Sequence, residues 1–221
     1  MKYLPEKLNF TKQSIKKIKI NSKKFYNQIK QRRTVRNFDT KTIDISIIKN
    51  AIKSAGTAPN GANLQPWHFV IIKNNQIKKK IREAAEIEEE NFYKHKAPNE
   101  WLKALEPLGT DKNKFFLEKA PILIAIFEQK YSLKNNKKIK NYYVKESVGI
   151  ATGILISCLH LSGLCMLTHT PSPMNFLNKI LKRPINEKPF LLLVVGYPSE
   201  KCEIPQFAKK KKKLNEILSI F

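Results

Sequence analysis

Hydrophobic residues along this chain recur with two spacings, one typical of helices and one typical of buried strands. Apolar side chains return every three or four positions after Asp44, which can cap a helix, and this pattern ends at Gly56. A similar spacing with wider polar faces predicts helices from Ser22 to the arginines that follow and from Asn75 to about His95. Short apolar runs predict the strands, namely Trp67–Ile72, Pro121–Phe127, Leu164–Thr168 and Phe190–Val195.

One segment, Val148–Leu167, carries no Asp, Glu, Lys or Arg over 20 residues and is long enough to cross a bilayer. It also contains Ser157, His160 and three glycines, and Gly163 stands where a helix can end and a strand begin. We interpret it as a buried core helix from about Tyr142 to Leu161 followed by a short buried strand, and we expect no membrane partner.

The remaining pattern predicts one folded domain with few accessory parts. No internal repeat or long linker is present, so we expect an arm over residues 1–20 and a single domain over residues 21–221. Pro98, Pro107 and Gly109 interrupt a charged and aromatic stretch, residues 86–118, which is typical of an active-site lid. A short helix is expected over residues 112–119 and a basic loop over residues 134–140.

Composition changes this picture little. The formal net charge is +24, but the lysines are scattered and no recognition motif accompanies them, so we expect no nucleic-acid partner. A basic, non-enzymatic protein that binds nucleic acid or a membrane surface stays open as an alternative. The three cysteines include no C-x-x-C pair and the first ten residues do not resemble a signal peptide, which predicts reduced thiols and a cytoplasmic location.

Arginine is scarce and concentrated. Among 42 Lys and Arg residues only five are Arg, and three of these lie in the stretch Arg32-Arg33-Thr34-Val35-Arg36. A guanidinium grips a phosphate or carboxylate through two hydrogen bonds, so the stretch predicts an anion site, the alternative being a solvated basic turn. The four histidines lack metal-ligand spacing, and G-x-S-x-G, G-x-G-x-x-G and P-loop motifs are missing from the sequence. We therefore expect no metal site and a phosphate held by side chains.

Four motifs carry a family resemblance, and they follow one another in a fixed order along the chain. They are the arginine stretch after a helix, Ala58-Pro59-Asn60-Gly61-Ala62-Asn63-Leu64-Gln65-Pro66-Trp67, a Thr-rich loop after the long apolar helix, and Val195-Gly196-Tyr197-Pro198. From about residue 25 onward the chain resembles the FMN-dependent nitroreductase superfamily. The resemblance implies an α+β fold, with a central, mostly antiparallel sheet flanked by helices and a long buried core helix. It also implies an intertwined homodimer that holds two FMN molecules at the subunit interface.

The resemblance assigns cofactor roles to individual residues. It implies that Arg32, Arg33, Thr34 and Arg36 hold the flavin phosphate and pyrimidine edge. Further cofactor contacts are implied for the ring, from Pro59 and Asn60 on one side and Thr168, His169 and Thr170 on the other. A family arginine that contacts the phosphate corresponds to Lys209, which keeps the charge and loses the fork.

The stretch Glu88–Lys94, Trp101 and Lys114–Pro121 resembles the lid of the iodotyrosine deiodinases within that superfamily. In that family a Glu, a Tyr four residues later and a Lys 21 residues beyond the Tyr close over the amino-acid end of the substrate, which correspond here to Glu89, Tyr93 and Lys114. A zwitterion needs an anion for its ammonium and a cation for its carboxylate, and Glu89 with Lys114 offers both. The alternative is that both are solvated surface charges.

The function implied is reductive dehalogenation of 3-iodotyrosine and related halotyrosines, with electrons from FMN and with NAD(P)H or another donor as reductant. The Thr170 hydroxyl would lie near flavin N5 and stabilise the one-electron-reduced flavin, and the Ala62 backbone N–H would hold the phenolate. A general NAD(P)H-dependent nitroreductase or quinone reductase is the alternative. One departure is His169, which stands where vertebrate members have Thr.

Overall fold

The computed structural model describes residues 3–135 and 137–221. Two compact units make up the chain, one ending at Arg32 and one running from Arg33 to Phe221. The first contains a single helix, α1 (Ile15–Ile29), which Ser14 caps by accepting a hydrogen bond from the Lys17 N–H. None of the residues of α1 is buried. The expected arm over residues 1–20 stays a prediction.

A four-stranded, fully antiparallel sheet organises the second unit. Its strands are β1 (Trp67–Ile72), β2 (Ile122–Gln129), β5 (Cys165–His169) and β6 (Glu187–Gly196), in the spatial order β1-β2-β6-β5. Alternate residues of β2 enter two separate cores, Ile124 on one face of the sheet and Ala125 on the other. The prediction of a strand buried on both faces is therefore confirmed for β2.

Helices cover both faces of this sheet. Two of them, α2 (Ile45–Ala55) and α6 (Val144–Leu161), pack on each other and on the core that contains Ile124. The other core lies beneath α3 (Asn75–Asn91), α5 (Phe116–Lys119) and α7 (Phe176–Ile180). Asp44 caps α2 as predicted, because its carboxylate accepts the Ser46 N–H at 2.8 Å.

Helix α6 is buried on one face only. Six of its 18 residues are buried within the chain, while Ile150 and Leu161 are 46% and 44% exposed. Within the described residues α6 is also the helix whose length and composition would allow it to cross a membrane. An apolar surface of α6 is thus left uncovered by this chain.

The segment after α3 is broken into short pieces. A π-helical turn over Phe92–Lys96 follows α3, and then come α4 (Asn99–Leu105) and a 3₁₀ turn over Glu106–Leu108 that ends at Gly109 in a left-handed conformation. The predicted helix over residues 112–119 is shorter than expected and spans α5 alone. Its first turn is missing because the Asn113 N–H bonds the Asp111 side chain and the Lys114 N–H bonds the Glu86 carboxylate.

The expected basic loop over residues 134–140 is wrong. The chain forms a hairpin of β3 (Tyr131–Lys134) and β4 (Lys137–Lys140), and Asn136 lies outside the described residues. Side chains hold the base of this hairpin, since Asn141 donates to the Gln129 carbonyl at 2.7 Å and Asn186 donates to the Tyr131 carbonyl at 2.8 Å. Lysines are tolerated because the strands are exposed to solvent.

Candidate active site

A cavity of about 250 Å³ lies between the end of β5 and the segment that follows α3. Charged and polar side chains line one part of it and aromatic and aliphatic side chains line the rest. Of the residues predicted for the site, those that line this cavity are Arg36, Glu89, Tyr93, Lys114, Thr168, His169 and Thr170. Residues from both predicted ends of the site, flavin and substrate, therefore meet in one cavity.

Arg36 reaches the cavity because its segment runs beside β5. Thr34 forms a parallel bridge with Met166, and the Val35 N–H donates to the Met166 carbonyl at 3.2 Å. Val35 is buried, so the next side chain, Arg36, points the other way toward the cavity. Burial lowers the pKa of the Arg36 guanidinium, and the nearby Tyr93 hydroxyl opposes this shift. A partly desolvated cation of this kind is suited to an anionic ligand.

The end of β5 separates its three site residues onto two sides. Thr168 and Thr170 are exposed, whereas His169 is buried. The His169 ring packs edge-on against Phe116, with ring centroids 5.6 Å apart. Successive side chains of a strand point to opposite faces, so Thr168 and His169 lie on opposite faces of β5, and Thr170 follows the strand as a second exposed residue.

His169 is held neutral in this position. Burial, and to a lesser extent the positive charges of Lys114 and Arg36, together lower its pKa to about 3. Its Nε2 atom is buried without a hydrogen-bond partner, the one such side-chain atom among the residues that the structure describes. An unpartnered polar atom in the interior is destabilising, so this position is not explained by packing alone.

Glu89 and Lys114 form an ion pair inside the cavity. Lys114 Nζ lies 3.1 Å from Glu89 Oε2, and the two side chains are only 4% and 15% exposed. The ammonium also donates to the Asp111 carbonyl and approaches Thr110 Oγ1 at 3.5 Å. Neither residue is a solvated surface charge, in contrast to the alternative left open by the sequence.

Tyr93 lies beside this pair. Its hydroxyl donates to the Thr110 carbonyl at 3.2 Å, and Lys114 Nζ lies 5.7 Å from the centre of its ring. Desolvation raises the pKa of the Tyr93 phenol, so it is a neutral donor. Phe92 packs edge-on against Trp101 at 4.9 Å between ring centroids, which gives the cavity an aromatic wall.

The other predicted site residues do not line this cavity. Pro59, Asn60 and Ala62 lie in the loop after α2, where Asn60 Oδ1 accepts the Gln65 N–H at 2.8 Å and Ala62 has a positive φ of 50°. This loop approaches the start of α6 so closely that a Cβ on Gly61 would lie 3.0 Å from the Tyr142 carbonyl oxygen.

Arg33 and Thr34 are partly buried beside β5, and Lys209 is exposed in a 3₁₀ turn over Gln206–Lys209. Arg32 belongs to the first unit, where its N–H donates to the Ile29 carbonyl at 3.0 Å. Seven of the predicted site residues therefore line this cavity, and the others lie outside it.

The residues that hold Lys114 were not predicted from the sequence. Glu86 accepts the Lys114 N–H at 2.7 Å, and Arg82 forms ion pairs with Glu86 and Glu118, each at 2.7 Å. Arg82 is one of only five arginines, and this scarcity was the one signal that could have identified it.

The residues around this cavity fit a flavin phosphate and ring edge. Thr168 and Thr170 are exposed at the end of β5 and just after it, and the partly buried guanidinium of Arg36 supplies a cation in the same cavity. Hydroxyls can donate to or accept from the ring edge, and a guanidinium binds phosphate through its fork.

Comparison with known proteins identifies the family. Residues 29–197 match the nitroreductase family. The iodotyrosine deiodinase of Haliscomenobacter hydrossis is 52% identical to this chain over 192 residues, which cover 86% of each protein. The chain belongs to the nitroreductase family, in its iodotyrosine deiodinase branch. Mouse iodotyrosine deiodinase 1 is 40% identical over 205 residues, 91% of this chain and 70% of the mouse protein.

A solved structure agrees with this membership. The crystal structure of an oxidised iodotyrosine deiodinase bound to FMN and 3-iodo-L-tyrosine superposes on this chain with a TM-score of 0.74 at 30% sequence identity. The match covers 89% of this chain and 98% of that one. The predicted family and its nitroreductase-like α+β fold are therefore confirmed.

Proposed function

We propose that this chain is an FMN-dependent oxidoreductase that removes halogen reductively from 3-iodotyrosine and related halotyrosines. Its similarity to iodotyrosine deiodinases over most of its length supports the reaction. The observation that carries the choice of substrate is the buried pair of opposite charges, Glu89 and Lys114, in the same cavity as Thr168 and Thr170. A zwitterionic amino acid presents the complementary pair of charges.

The overall reaction replaces a carbon–halogen bond by a carbon–hydrogen bond. Two electrons and one proton convert the halotyrosine into tyrosine and a halide ion. FMN, when bound, supplies the electrons, and NAD(P)H or another donor reduces it again. The protein supplies binding, orientation and exclusion of water.

Three lid residues take the substrate's amino-acid end. Glu89 accepts hydrogen bonds from the ammonium, Lys114 donates to the carboxylate, and the Tyr93 hydroxyl adds a neutral donor. The short distance between Glu89 and Lys114 and their burial support these roles. Residues 86–118 act as the lid, and their aromatic side chains exclude water from the bound ring.

The flavin end is assigned to the other group of residues. Arg32, Arg33, Thr34 and Arg36 hold the phosphate and pyrimidine edge, and Thr168, His169 and Thr170 form one side of the flavin pocket. Thr170 would place its hydroxyl near flavin N5, and its exposure in the lining of the cavity supports this role. Lys209 takes a phosphate contact as a point charge.

We propose that the active unit is a homodimer. Pro59, Asn60 and Ala62 do not line the cavity described above, and a second copy of the chain would bring this loop to a flavin held there. The uncovered apolar surface of α6 supports the same assembly, because burying it against a second copy would remove it from water.

We also propose a cytoplasmic location without membrane association. The three cysteines are free thiols, which is typical of a reducing compartment. In a dimer the apolar face of α6 would be covered by protein.

Ligand titration tests this function. Flavin fluorescence of the oxidised protein should be quenched by 3-iodotyrosine with a dissociation constant far below that for a nitroaromatic. Lys114→Gln should weaken binding at least tenfold, because a charge-assisted hydrogen bond contributes about 1.5–3 kcal/mol, and should leave FMN bound.

Lys112→Gln is the matched control. Lys112 lies two residues before Lys114, is exposed to solvent, and its ammonium forms an ion pair with Glu90 at 2.9 Å. Equal affinity for 3-iodotyrosine and the nitroaromatic, with no response to Lys114→Gln, would indicate a general nitroreductase or quinone reductase. A purified protein that is colourless and takes up no FMN would contradict both.

A further inference from the structure

One face of α3 links the segment 114–120 to the lid residues that line the cavity. Lys78, Arg82 and Glu86 follow one another at spacings of four residues and therefore lie along one side of the helix. The same side continues toward Glu89 and Tyr93, which line the cavity. The first three residues all contact the segment 114–120, which carries Lys114.

Arg82 joins two carboxylates with its fork. Its Nε donates to Glu118 Oε1 at 2.7 Å and its Nη1 donates to Glu86 Oε2 at 2.7 Å. The Arg82 side chain is only 18% exposed. A lysine in its place would carry the same charge but could not hold two carboxylates in a fixed planar geometry.

Glu86 transmits this arrangement to Lys114. While Oε2 is held by Arg82, Oε1 accepts the backbone N–H of Lys114 at 2.7 Å. At the other end of the segment, Lys78 Nζ donates to the carbonyls of Glu118 at 2.9 Å and Ala120 at 2.8 Å. The backbone that carries Lys114 is thus attached to α3 at both ends.

We propose that Arg82 and Glu86 are positioning residues that place the Lys114 ammonium for substrate binding. Neither residue lines the cavity, and both act through the backbone of Lys114. This inference rests on the proposed role of Lys114 in binding the substrate carboxylate. It adds that the geometry of this contact is set by a partly buried Arg–Glu network outside the cavity.

Arg82→Gln and Glu86→Gln should each weaken 3-iodotyrosine binding about tenfold, the size of one displaced charged hydrogen bond, with FMN still bound. Arg82→Lys should recover part of the loss, because it restores the charge without the fork. Glu83→Gln is the control: Glu83 belongs to the same helix, and its pair with Lys79 is exposed and long at 3.9 Å. Binding by Glu83→Gln should match that of the wild type.

A double-mutant cycle separates positioning from general destabilisation. In the Lys114→Gln background, Arg82→Gln should cause little further loss of 3-iodotyrosine affinity, because the contact that it positions is already missing. Losses that multiply in the double variant would overturn the proposal, as would Arg82→Gln binding with wild-type affinity.

Hydrogen exchange distinguishes this inference from the proposed function. In the FMN-loaded protein, the Lys114 amide should exchange faster in Arg82→Gln than in the wild type, whereas Glu83→Gln should leave it protected. Unchanged protection of Lys114 in Arg82→Gln would contradict the positioning role, whatever the ligand. If exchange changes as expected but wild-type protein does not bind 3-iodotyrosine, the network stands and the proposed substrate is wrong.

Discussion

Arginine and lysine have different tasks in this molecule. Arg82 and Arg183 both hold carboxylates through their forks, Arg183 with two bonds of 2.7 and 2.8 Å to the buried Glu187. Lysines are mostly exposed, and the buried ones, Lys78 and Lys114, donate to backbone carbonyls. Scarce arginine therefore indicates where two hydrogen bonds must be held in fixed directions.

At the same scale, His169 shows how a titratable group can be kept in one state. Lys114 and Arg36 are the charged groups that act on its ring, and both oppose its protonation, as does burial. The folded protein therefore holds His169 neutral across the physiological range, and the penalty for charging it appears in the stability of the fold.

Acid should destabilise the protein through His169. Its pKa falls from 6.5 in the unfolded chain to about 3 in the folded protein. The unfolded chain therefore binds a proton below pH 6.5 that the folded protein does not bind until near pH 3. Stability is complete well above pH 6.5, and from pH 7.5 to pH 5 the free energy of unfolding should fall by about 2 kcal/mol from this residue alone.

Denaturant unfolding at pH 7.5 and pH 5 measures this effect. In His169→Gln the fall in unfolding free energy should be smaller than in the wild type by about that amount, about 2 kcal/mol. His95→Gln removes an exposed histidine of the lid and should keep the wild-type fall. An equal fall in all three proteins would contradict a neutral, buried His169.

At the scale of elements, the strand ends determine how close neighbouring segments can approach. Gly196 ends β6, where a Cβ would lie 2.8 Å from Phe38 Cδ1 and 2.9 Å from Pro121 Cδ. Phe38 in turn bridges to Pro198, next to the segment that carries Arg36. The motif Val195-Gly196-Tyr197-Pro198 is therefore a close crossing of three segments.

Gly196→Ala should destabilise the fold by about 1–3 kcal/mol, because the neighbours on both sides are a ring and a proline and cannot move away without displacing backbone. Thermal unfolding of the FMN-loaded protein measures this loss, and the flavin content of the purified variant should fall with it. A melting temperature equal to that of the wild type would show that the crossing has room for a methyl group.

At the scale of the whole molecule, the uncovered face of α6 is the feature that a single copy of the chain does not explain. Ile150 on this helix is 46% exposed, within a segment that has no charged residue for 20 positions. Interfaces between identical subunits bury surfaces of this kind.

Ile150→Glu should shift the protein toward monomer in analytical ultracentrifugation, because a carboxylate would be buried without a partner in the interface. Ile139→Glu is the matched control, since Ile139 is 41% exposed on the β3–β4 hairpin rather than on α6. A dimeric Ile150→Glu variant would place the interface elsewhere, and monomeric wild-type protein would contradict the homodimer.

Local patterns predicted most of the fold. Apolar runs located the four strands of the main sheet to within a few residues, and the Asp44 cap located α2. The β3–β4 hairpin was missed because its lysine-rich strands lack an apolar pattern. Its base is held by Asn141 and Asn186, which bond residues far along the chain, and local hydrophobic periodicity does not reveal such contacts.

The same limit applies to the site. Resemblance to a family selected Glu89, Tyr93 and Lys114, and the structure brings these three together. The residues that hold Lys114 were missed because Arg82 and Glu118 are 36 positions apart, and nothing local in the sequence links them. His169 was assigned to the flavin side, and only its position on β5 showed that its side chain is turned inward.

The Glu89–Lys114 ion pair has a consequence for selectivity. Before any ligand binds, each charge already has a partner at 3.1 Å, and both side chains are largely buried. A ligand with both an ammonium and a carboxylate can replace both partners at once, whereas a ligand with only one of these groups would leave the other charge without compensation. Discrimination against halogenated phenols that carry only an amine or only a carboxylate would then come from the penalty for separating the ion pair of the ligand-free protein, as well as from contacts with the bound ring.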